Sequence, residues 1–232
     1  MITALGLDLD STLYEHAQFV RGAHTDVAAV AASEGGVDRD AFRARVFGDW
    51  QRLGSRANTI FRDALRDFGA EIPGLEEQLV QAYRDHQPAL RLYPGVREGL
   101  AELRRSGVRL GLLSDGQVSV QMRKLAALGL ADWFDAIVVT GELGSAFYKP
   151  HPAGFELLAK RLGATPGAMA YVGDNPLVDF AAAKHLGMCT LRVRTSEYST
   201  VTQGAEWIDH EFDETRQAIA WVGELCERNE QP

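Results

Sequence analysis

The distribution of apolar and polar positions indicates alternating strands and helices from Tyr93 onward. Short, almost purely apolar runs have the length and composition of parallel strands that are covered on both faces. Between them, apolar residues recur at helical spacing, and most helical segments stop at a glycine, a common helix terminator. With a first apolar run near the N-terminus, the predicted strands are 2–9, 108–113, 136–140, 169–172 and 188–193, and the predicted helices are 95–106, 118–128, 152–162, 176–186 and 214–227. This order predicts right-handed β-α-β crossovers and an α/β fold with an open, mostly parallel sheet.

Residues 15–90 interrupt this alternation, because no convincing strand pattern occurs there. Helical patterns cover 15–33, 38–53, 58–68 and 74–87, with glycine- and proline-containing breaks between them. We therefore expect an α/β core of residues 1–14 and 91–232 and an inserted helical domain of residues 15–90. Open α/β sheets bind ligands beyond the carboxyl ends of their strands, so the insertion is interpreted as a lid over that edge. The alternative is that it only enlarges the hydrophobic core.

Composition and net charge limit the kinds of molecule that the protein is expected to bind. The 232 residues are 46% hydrophobic and 24% charged, which is ordinary for a globular protein with a substantial core. The net charge of −8 argues against a nucleic-acid surface, and no apolar run approaches the ~18 residues that span a bilayer. The expected partner is therefore a small molecule rather than a nucleic acid or a membrane. The sequence leaves open whether the protein is a monomer or a homodimer.

Two features favour a cytoplasmic location. Asp8 and Asp10 come too early for an N-terminal signal peptide, and no basic leader precedes them. Cys189 and Cys226 lie far apart and do not have a metal-binding spacing. We expect both cysteines to be reduced packing residues, as is usual in the cytoplasm.

Two acids, Asp8 and Asp10, stand at the end of the first predicted strand. Apolar neighbours make an ionised carboxylate costly unless a cation or hydrogen-bond donors compensate it. The pair therefore indicates a Mg²⁺ site, a nucleophile with its proton-transfer partner, or both. The alternative is a polar turn in which Asp10 or Ser11 caps the next helix.

Polar residues also follow the next two strands. Ser114, Asp115 and Gly116 offer a hydroxyl and accessible backbone N–H groups, which suit an anionic phosphate. An ordinary turn explains the same residues equally well. Lys149 follows the strand predicted at 136–140, and a lone lysine is more often a solvated surface charge than a ligand.

The fourth strand end carries two more acids, Asp174 and Asp179. Pro176 fits the first turn of a helix, with Asp174 or Asn175 as its cap. A capping role and a metal-binding role are compatible here, so the helix interpretation explains only part of the motif.

Taken together, these four strand ends resemble the motifs of the haloacid dehalogenase superfamily of phosphohydrolases. The pattern of that family is Asp-x-Asp-x-Thr, then a Ser or Thr, then a Lys, then Gly-Asp-x-x-x-x-Asp. The matching residues, in the same order, are Asp8, Asp10, Thr12, Ser114, Lys149, Asp174 and Asp179. The resemblance covers essentially the whole chain and implies a Rossmann-like core with a helical cap. One departure is His151, where an acidic residue is common.

The resemblance implies a Mg²⁺-dependent phosphatase. In such an enzyme Asp8 attacks the substrate phosphorus and forms a phosphoaspartate, while Asp10 gives and then takes a proton. The implied metal ligands are the Asp8 carboxylate, the Asp10 backbone carbonyl and Asp174. The residues implied to hold the phosphoryl group or to offset its charge are Ser114, Asp115, Gly116 and Lys149, and the residues implied to support the site are Thr12 and Asp179.

Three alternatives to the phosphatase interpretation remain at this point. The first is a 2-haloacid dehalogenase, but that branch of the family has a non-acidic residue at the position of Asp10, so Asp10 favours cleavage of phosphate esters. The second is a phosphomutase, and the third is a non-catalytic protein on the same fold. The expected substrate is a small sugar phosphate, nucleotide or phosphorylated acid, and the polar candidates for selecting it from the cap side are His16, Arg21, Arg52 and Arg56.

Overall fold

The protein is described by a computed structural model that covers residues 2–54 and 57–228. Within these residues six strands form one sheet in the order β3-β2-β1-β4-β5-β6, and every neighbouring pair is parallel. The strands are β1 Ala4–Leu7, β2 Arg109–Ser114, β3 Ala136–Val139, β4 Met169–Gly173, β5 Cys189–Val193 and β6 His210–Phe212. The prediction of an α/β fold with an open parallel sheet is confirmed.

Nine α-helices are described in these same ranges of the chain. They are α1 His16–Gly35, α2 Arg39–Leu53, α3 Ile60–Asp67, α4 Leu75–Asp85, α5 Val96–Arg105, α6 Val118–Ala127, α7 Ala153–Leu162, α8 Ala181–His185 and α9 Thr215–Arg228. None of them combines the length and the apolar character needed to cross a bilayer.

The chain packs as two compact units, Met1–His16 with Leu90–Pro232, and Ala17–Ala89. The first unit contains the sheet, and the second is built from α1 to α4. That the two units act as a core and a cap, with the boundaries expected from the sequence, stays a prediction.

The helical unit has its own apolar core. Phe19 and Phe42 are buried, and their rings make edge contacts with Tyr83 and Phe68 at centroid distances of 5.4 Å and 5.3 Å. At the start of α2 the Asp38 carboxylate accepts a hydrogen bond of 2.7 Å from the backbone N–H of Ala41, a helix N-cap.

In the sheet-containing unit, α7 packs closely on β2 and β3. Two glycines permit this approach: a Cβ added at Gly6 would lie 3.0 Å from a Leu158 methyl carbon, and one added at Gly111 would lie 2.8 Å from Leu158 and from Leu162. Elsewhere in the unit, α5 and α9 pack against each other, and α9 also contacts β4, β5 and β6.

The prediction of a helix over 176–186 is wrong for residues 176–180. It begins only at Ala181, because the preceding residues form turns. Side chains satisfy the backbone there: Asp179 accepts from the N–H of Asn175 at 2.9 Å, and Asn175 accepts from the N–H of Leu177 at 3.1 Å. Such local side-chain bonds compete with helix formation.

The sequence pattern does not predict the strand β6. This strand has three residues, none of them fully buried, so it has no apolar run that pattern analysis could detect. Cys189 and Cys226 form no disulfide in the described part of the chain.

Phe155 on α7 gives a test of this packing. It is fully buried and contacts the Tyr171 ring at 4.9 Å, so Phe155→Ala is expected to lower the free energy of unfolding by about 3–5 kcal/mol. Urea denaturation measures this change. Phe147→Ala, at a residue that is 38% exposed, is the control and should cost less than about 1 kcal/mol. Equal losses in the two variants would contradict the packing described here.

Candidate active site

The parallel register brings the polar strand ends together. The strand β1 lies between β2 and β4, and Leu7 pairs with Leu112 on one side and Val172 on the other. Residues that follow these pairs therefore emerge at the same edge of the sheet, where open α/β folds place their ligands. Asp8, Ser114 and Asp174 all lie at this edge.

A buried ammonium group lies at the centre of the site. Lys149 Nζ donates to Asp8 Oδ1 at 2.7 Å and to Asp179 Oδ1 at 2.6 Å, and it lies 3.4 Å from the Tyr171 hydroxyl. All four residues are buried. Burial alone lowers the pKa of Lys149, but the charges of Asp179 and Asp8 raise it well above its ordinary value. The lysine is therefore a permanent cation, and not the solvated surface charge that a lone lysine suggests.

Three carboxylates meet around this lysine. Oxygen atoms of Asp8, Asp174 and Asp179 lie within 4.8 Å of one another. Thr12 joins two of them, since its hydroxyl lies 3.5 Å from Asp8 Oδ2 and 3.3 Å from Asp174 Oδ1. The structure thus brings together five of the residues that the sequence motifs single out.

The electrostatics of this cluster suit a divalent cation. Burial raises the pKa of Asp8 to about 7, although Lys149 opposes the shift. Burial and the charges of Asp179 and Asp8 raise the pKa of Asp174 well above its usual range. Three carboxylates facing one ammonium group leave an excess of negative charge, which must take up protons or a cation. Carboxylate oxygens are the ligands that Mg²⁺ prefers, so the donor set fits that ion.

The loop after β2 is held by side-chain hydrogen bonds. Asp115 Oδ1 accepts from the Thr140 hydroxyl at 2.7 Å and from the backbone N–H of Lys149 at 3.0 Å. Gly116 has a φ of 120°, and its carbonyl oxygen would lie 2.1 Å from a Cβ added at Gly141. The side chain of Asp115 therefore fixes the backbone that carries Lys149, a task that its sequence context does not indicate.

Asp10 lies in a separate set of contacts. Both of its carboxylate oxygens accept from Lys124 Nζ at 2.8 Å, Oδ2 also accepts from Gln121 Nε2 at 3.0 Å, and Oδ1 accepts from the Tyr14 hydroxyl. Asp10 does not cap the next helix, because α1 begins at His16.

Burial by itself would raise the pKa of Asp10, but the neighbouring charges and hydrogen-bond donors have the larger effect and lower this pKa below the usual range. One of these neighbours, His16, is neutral near pH 7, because burial lowers its pKa to about 4. The lasting positive charge beside Asp10 is therefore that of Lys124. Asp8 and Asp10, two residues apart, thus have pKa values displaced in opposite directions.

The four residues predicted to select the substrate lie in different parts of the chain and differ in exposure. His16 is buried and lies 3.8 Å from Asp10 Oδ1, within the sheet-containing unit and not in the helical one. Arg21 and Arg52 are exposed residues of the helical unit; Arg21 lies over the Phe47 ring, and Arg52 donates to Asp49 at 2.8 Å. Arg56 lies outside the described residues.

His151, the departure from the family pattern, is exposed and precedes α7 by two residues. Its Nδ1 accepts from the backbone N–H of Ala153 at 3.2 Å, and its ring contacts Phe147 at 4.9 Å. It supports the helix that follows Lys149 and contributes no atom to the carboxylate cluster.

Sequence reasoning missed four polar residues of the site: Tyr14, Gln121, Lys124 and Tyr171. The signal in the sequence is weak. Gln121 and Lys124 are three residues apart and so share one face of α6, yet a glutamine and a lysine on a helix usually face solvent.

Comparison with known proteins agrees with this geometry. The family described as haloacid dehalogenase-like hydrolase matches residues 2–187, and the chain belongs to that family. It is 33% identical to the glyceraldehyde 3-phosphate phosphatase of Methanopyrus kandleri, across 97% of this chain and 99% of that protein. It is 30% identical to the phosphoserine phosphatase of Thermus thermophilus, across 78% of this chain and 84% of that protein.

The fold is shared with solved structures. The crystal structure of a HAD phosphatase from Thermococcus onnurineus matches with a TM-score of 0.67 and 24% identity, covering 96% of this chain and 98% of that one. The resemblance inferred from the motifs is thereby confirmed at the level of family and fold.

Removal of the central cation is expected to destabilise the site strongly. Lys149→Met leaves two buried carboxylates without their shared partner, so in EDTA near pH 8 the free energy of unfolding should fall by about 3–5 kcal/mol. Near pH 5 the loss should be smaller, because Asp8, with its pKa of about 7, takes up a proton instead. Denaturant unfolding at the two pH values measures the difference.

Lys184→Met is the matched control for this experiment. Lys184 pairs with Asp209 at a partly exposed position, where an ion pair contributes less than about 1 kcal/mol. A Lys149→Met variant as stable as this control would show that the buried ammonium is not needed to compensate the carboxylates.

Proposed function

We propose that the protein is a Mg²⁺-dependent phosphatase that hydrolyses small phosphate monoesters through a phosphoaspartate on Asp8. The observation that carries the proposal is the buried cluster in which Asp8 contacts Lys149 and its carboxylate oxygen lies close enough to one of Asp174 for both to hold one cation. Family membership and the phosphatase names of the relatives support it.

In the first half-reaction the Asp8 carboxylate attacks phosphorus while the bond from phosphorus to the ester oxygen breaks. Asp10 must first take up a proton, because its pKa lies below the usual range in the substrate-free protein, and it then supplies that proton to the leaving oxygen. The Ser114 hydroxyl and the backbone N–H groups of Asp115 and Gly116 hold the phosphoryl oxygens, and Lys149 offsets their charge.

In the second half-reaction a water molecule attacks the phosphoaspartate. Asp10 takes the proton of that water, inorganic phosphate leaves, and the Asp8 carboxylate is restored. Asp179 keeps Lys149 in place through their 2.6 Å contact, and Thr12 orients Asp8 and Asp174. A Mg²⁺ ion held by Asp8, Asp174 and the Asp10 carbonyl would supply positive charge to the transferring group.

The helical insertion is proposed as the cap that selects the substrate. Caps of this kind exclude water from the reaction and contact the leaving group. The names of the two relatives favour a three-carbon monoester such as glyceraldehyde 3-phosphate or phosphoserine as substrate. A nucleic acid is disfavoured by the net charge of −8, and the two cysteines without a disulfide suit the cytoplasm.

A panel assay tests the activity. Purified protein with Mg²⁺ is expected to release phosphate from at least one of glyceraldehyde 3-phosphate, phosphoserine, a hexose phosphate and a nucleoside monophosphate, and to lose this activity in EDTA. Asp8→Asn should lower turnover by at least about 10³-fold, because the amide is a poor nucleophile. Asp38→Asn is the matched control, since asparagine caps a helix as well as aspartate.

The same panel, with a 2-haloacid added, separates the competing activities. Halide release from a 2-haloacid without Mg²⁺ would support a dehalogenase, and isomerisation of a sugar phosphate without free phosphate would support a phosphomutase. Turnover by Asp8→Asn at the wild-type rate would refute the nucleophile assignment.

Cation binding should depend on pH in a defined direction. In the metal-free protein Asp8 has a pKa of about 7 and must lose its proton before it can bind Mg²⁺. The Mg²⁺ affinity is therefore expected to fall as the pH drops through 7 and to approach a loss of about tenfold for each further pH unit, with the raised pKa of Asp174 adding to the effect. Calorimetric titrations at several pH values measure this change, and an affinity independent of pH would contradict it.

A further inference from the structure

The turn that follows β1 contains an unusual backbone conformation. Ser11 has a φ of 58°, and among the residues that the structure describes it is the only non-glycine residue with a positive φ. A side chain disfavours this left-handed conformation, because its Cβ comes too close to the following carbonyl oxygen. Such a residue persists only where its surroundings hold it in place, and residues of this kind cluster at functional sites.

The place of Ser11 in the chain makes its conformation important for the site. It stands between Asp10, whose backbone carbonyl is a proposed metal ligand, and Thr12, whose hydroxyl joins Asp8 to Asp174. Because a peptide unit is planar, the φ of Ser11 sets the direction of the Asp10 carbonyl relative to the rest of the turn. A rotation about this one bond would therefore move a metal ligand relative to the carboxylate cluster.

Two threonines from distant parts of the chain hold this turn. The Thr195 hydroxyl donates to the Ser11 carbonyl, and the Thr215 hydroxyl donates to the Thr12 carbonyl at 2.5 Å. Thr195 follows β5, and Thr215 is the buried first residue of α9. Two consecutive carbonyl groups of the turn are thus fixed by side chains that lie 184 and 203 residues away in the sequence.

Tyr93 contacts the same turn from a third segment. Its backbone N–H donates to the Leu13 carbonyl at 2.9 Å, and its hydroxyl donates to the Thr195 carbonyl at 3.1 Å. The threonine that holds Ser11 is therefore itself held in place. All of these residues belong to the sheet-containing unit.

We propose that Thr195 and Thr215 are positioning residues, which keep Ser11 in its left-handed conformation and so direct the Asp10 carbonyl towards the cation. This inference rests on the proposed function, because the cation is the Mg²⁺ of that reaction. A threonine that only supports the fold would lower the stability of the protein when its hydroxyl is removed. A positioning threonine would in addition lower the affinity of the folded protein for Mg²⁺.

Thr195→Val and Thr215→Val keep the shape of the side chain and remove its hydroxyl. Each is expected to lower the Mg²⁺ affinity of the metal-free protein by about three- to tenfold, the equilibrium equivalent of one hydrogen bond. Calorimetric titration measures this affinity, and either variant serves if the other does not fold. Thr195→Ser and Thr215→Ser, which keep the hydroxyl, should restore most of the affinity.

Thr190→Val is the matched control. Thr190 is a fully buried residue of β5 whose hydroxyl donates to the Trp207 carbonyl at 2.6 Å, and it makes no recorded contact with the turn. Its replacement should lower the free energy of unfolding in EDTA, as measured with denaturant, and leave the Mg²⁺ affinity at the wild-type value.

Ser11→Gly tests whether the effect passes through the backbone of the turn. Glycine adopts a positive φ about as readily as a negative one, so in the Ser11→Gly background Thr195→Val should lower the Mg²⁺ affinity by less than about twofold. A loss as large as the one in the wild-type background would show that Thr195 does not act through the conformation of Ser11, and would overturn the inference.

The remaining outcomes separate this inference from the proposed function. Weaker Mg²⁺ binding in the two valine variants, with recovery in the serine variants and none of this loss in Thr190→Val, supports the positioning role. Wild-type affinity in both valine variants, or an equal loss in Thr190→Val, overturns it while phosphate release by the wild-type protein upholds the proposed function. A wild-type protein that neither binds Mg²⁺ nor releases phosphate overturns both.

Discussion

The ammonium group of Lys149 is the interaction on which the rest of the site depends. Three carboxylates are held close together in a buried position, where repulsion and desolvation both oppose ionisation. Lys149 contacts two of them directly, and Thr12 joins the third to the group. The strand order makes this possible, because it places the ends of β1, β2 and β4 side by side. The fold and the site therefore depend on the same arrangement of strands.

The surroundings of Asp8 and Asp10 differ in their charges and hydrogen-bond donors. Asp8 is surrounded by other acids and has a raised pKa, whereas Asp10 is surrounded by donors and has a lowered one. The structure achieves this over two residues of chain by directing one carboxylate to Lys149 and the other to Lys124.

Much of the fold and the approximate location of the site could be predicted from the sequence, because the informative patterns are local. A buried parallel strand is a short apolar run, and the polar residues after it mark the edge where strand ends converge. The contributions of Lys124 and Asp115 could not be predicted in this way. Each depends on a partner far away in the chain, and neither residue type is unusual in its own element.

The close packing of α7 on the sheet has a consequence for residues that lie far from the carboxylate cluster. This helix begins four residues after Lys149, and it rests on strand positions where an added Cβ would lie 3.0 Å or less from leucine methyl carbons. An alanine at Gly111 would force the side-chain ends of Leu158 and Leu162 to shift. Its first effect would be on the packing of α7 against the sheet, and an effect on Lys149 would have to pass through that helix.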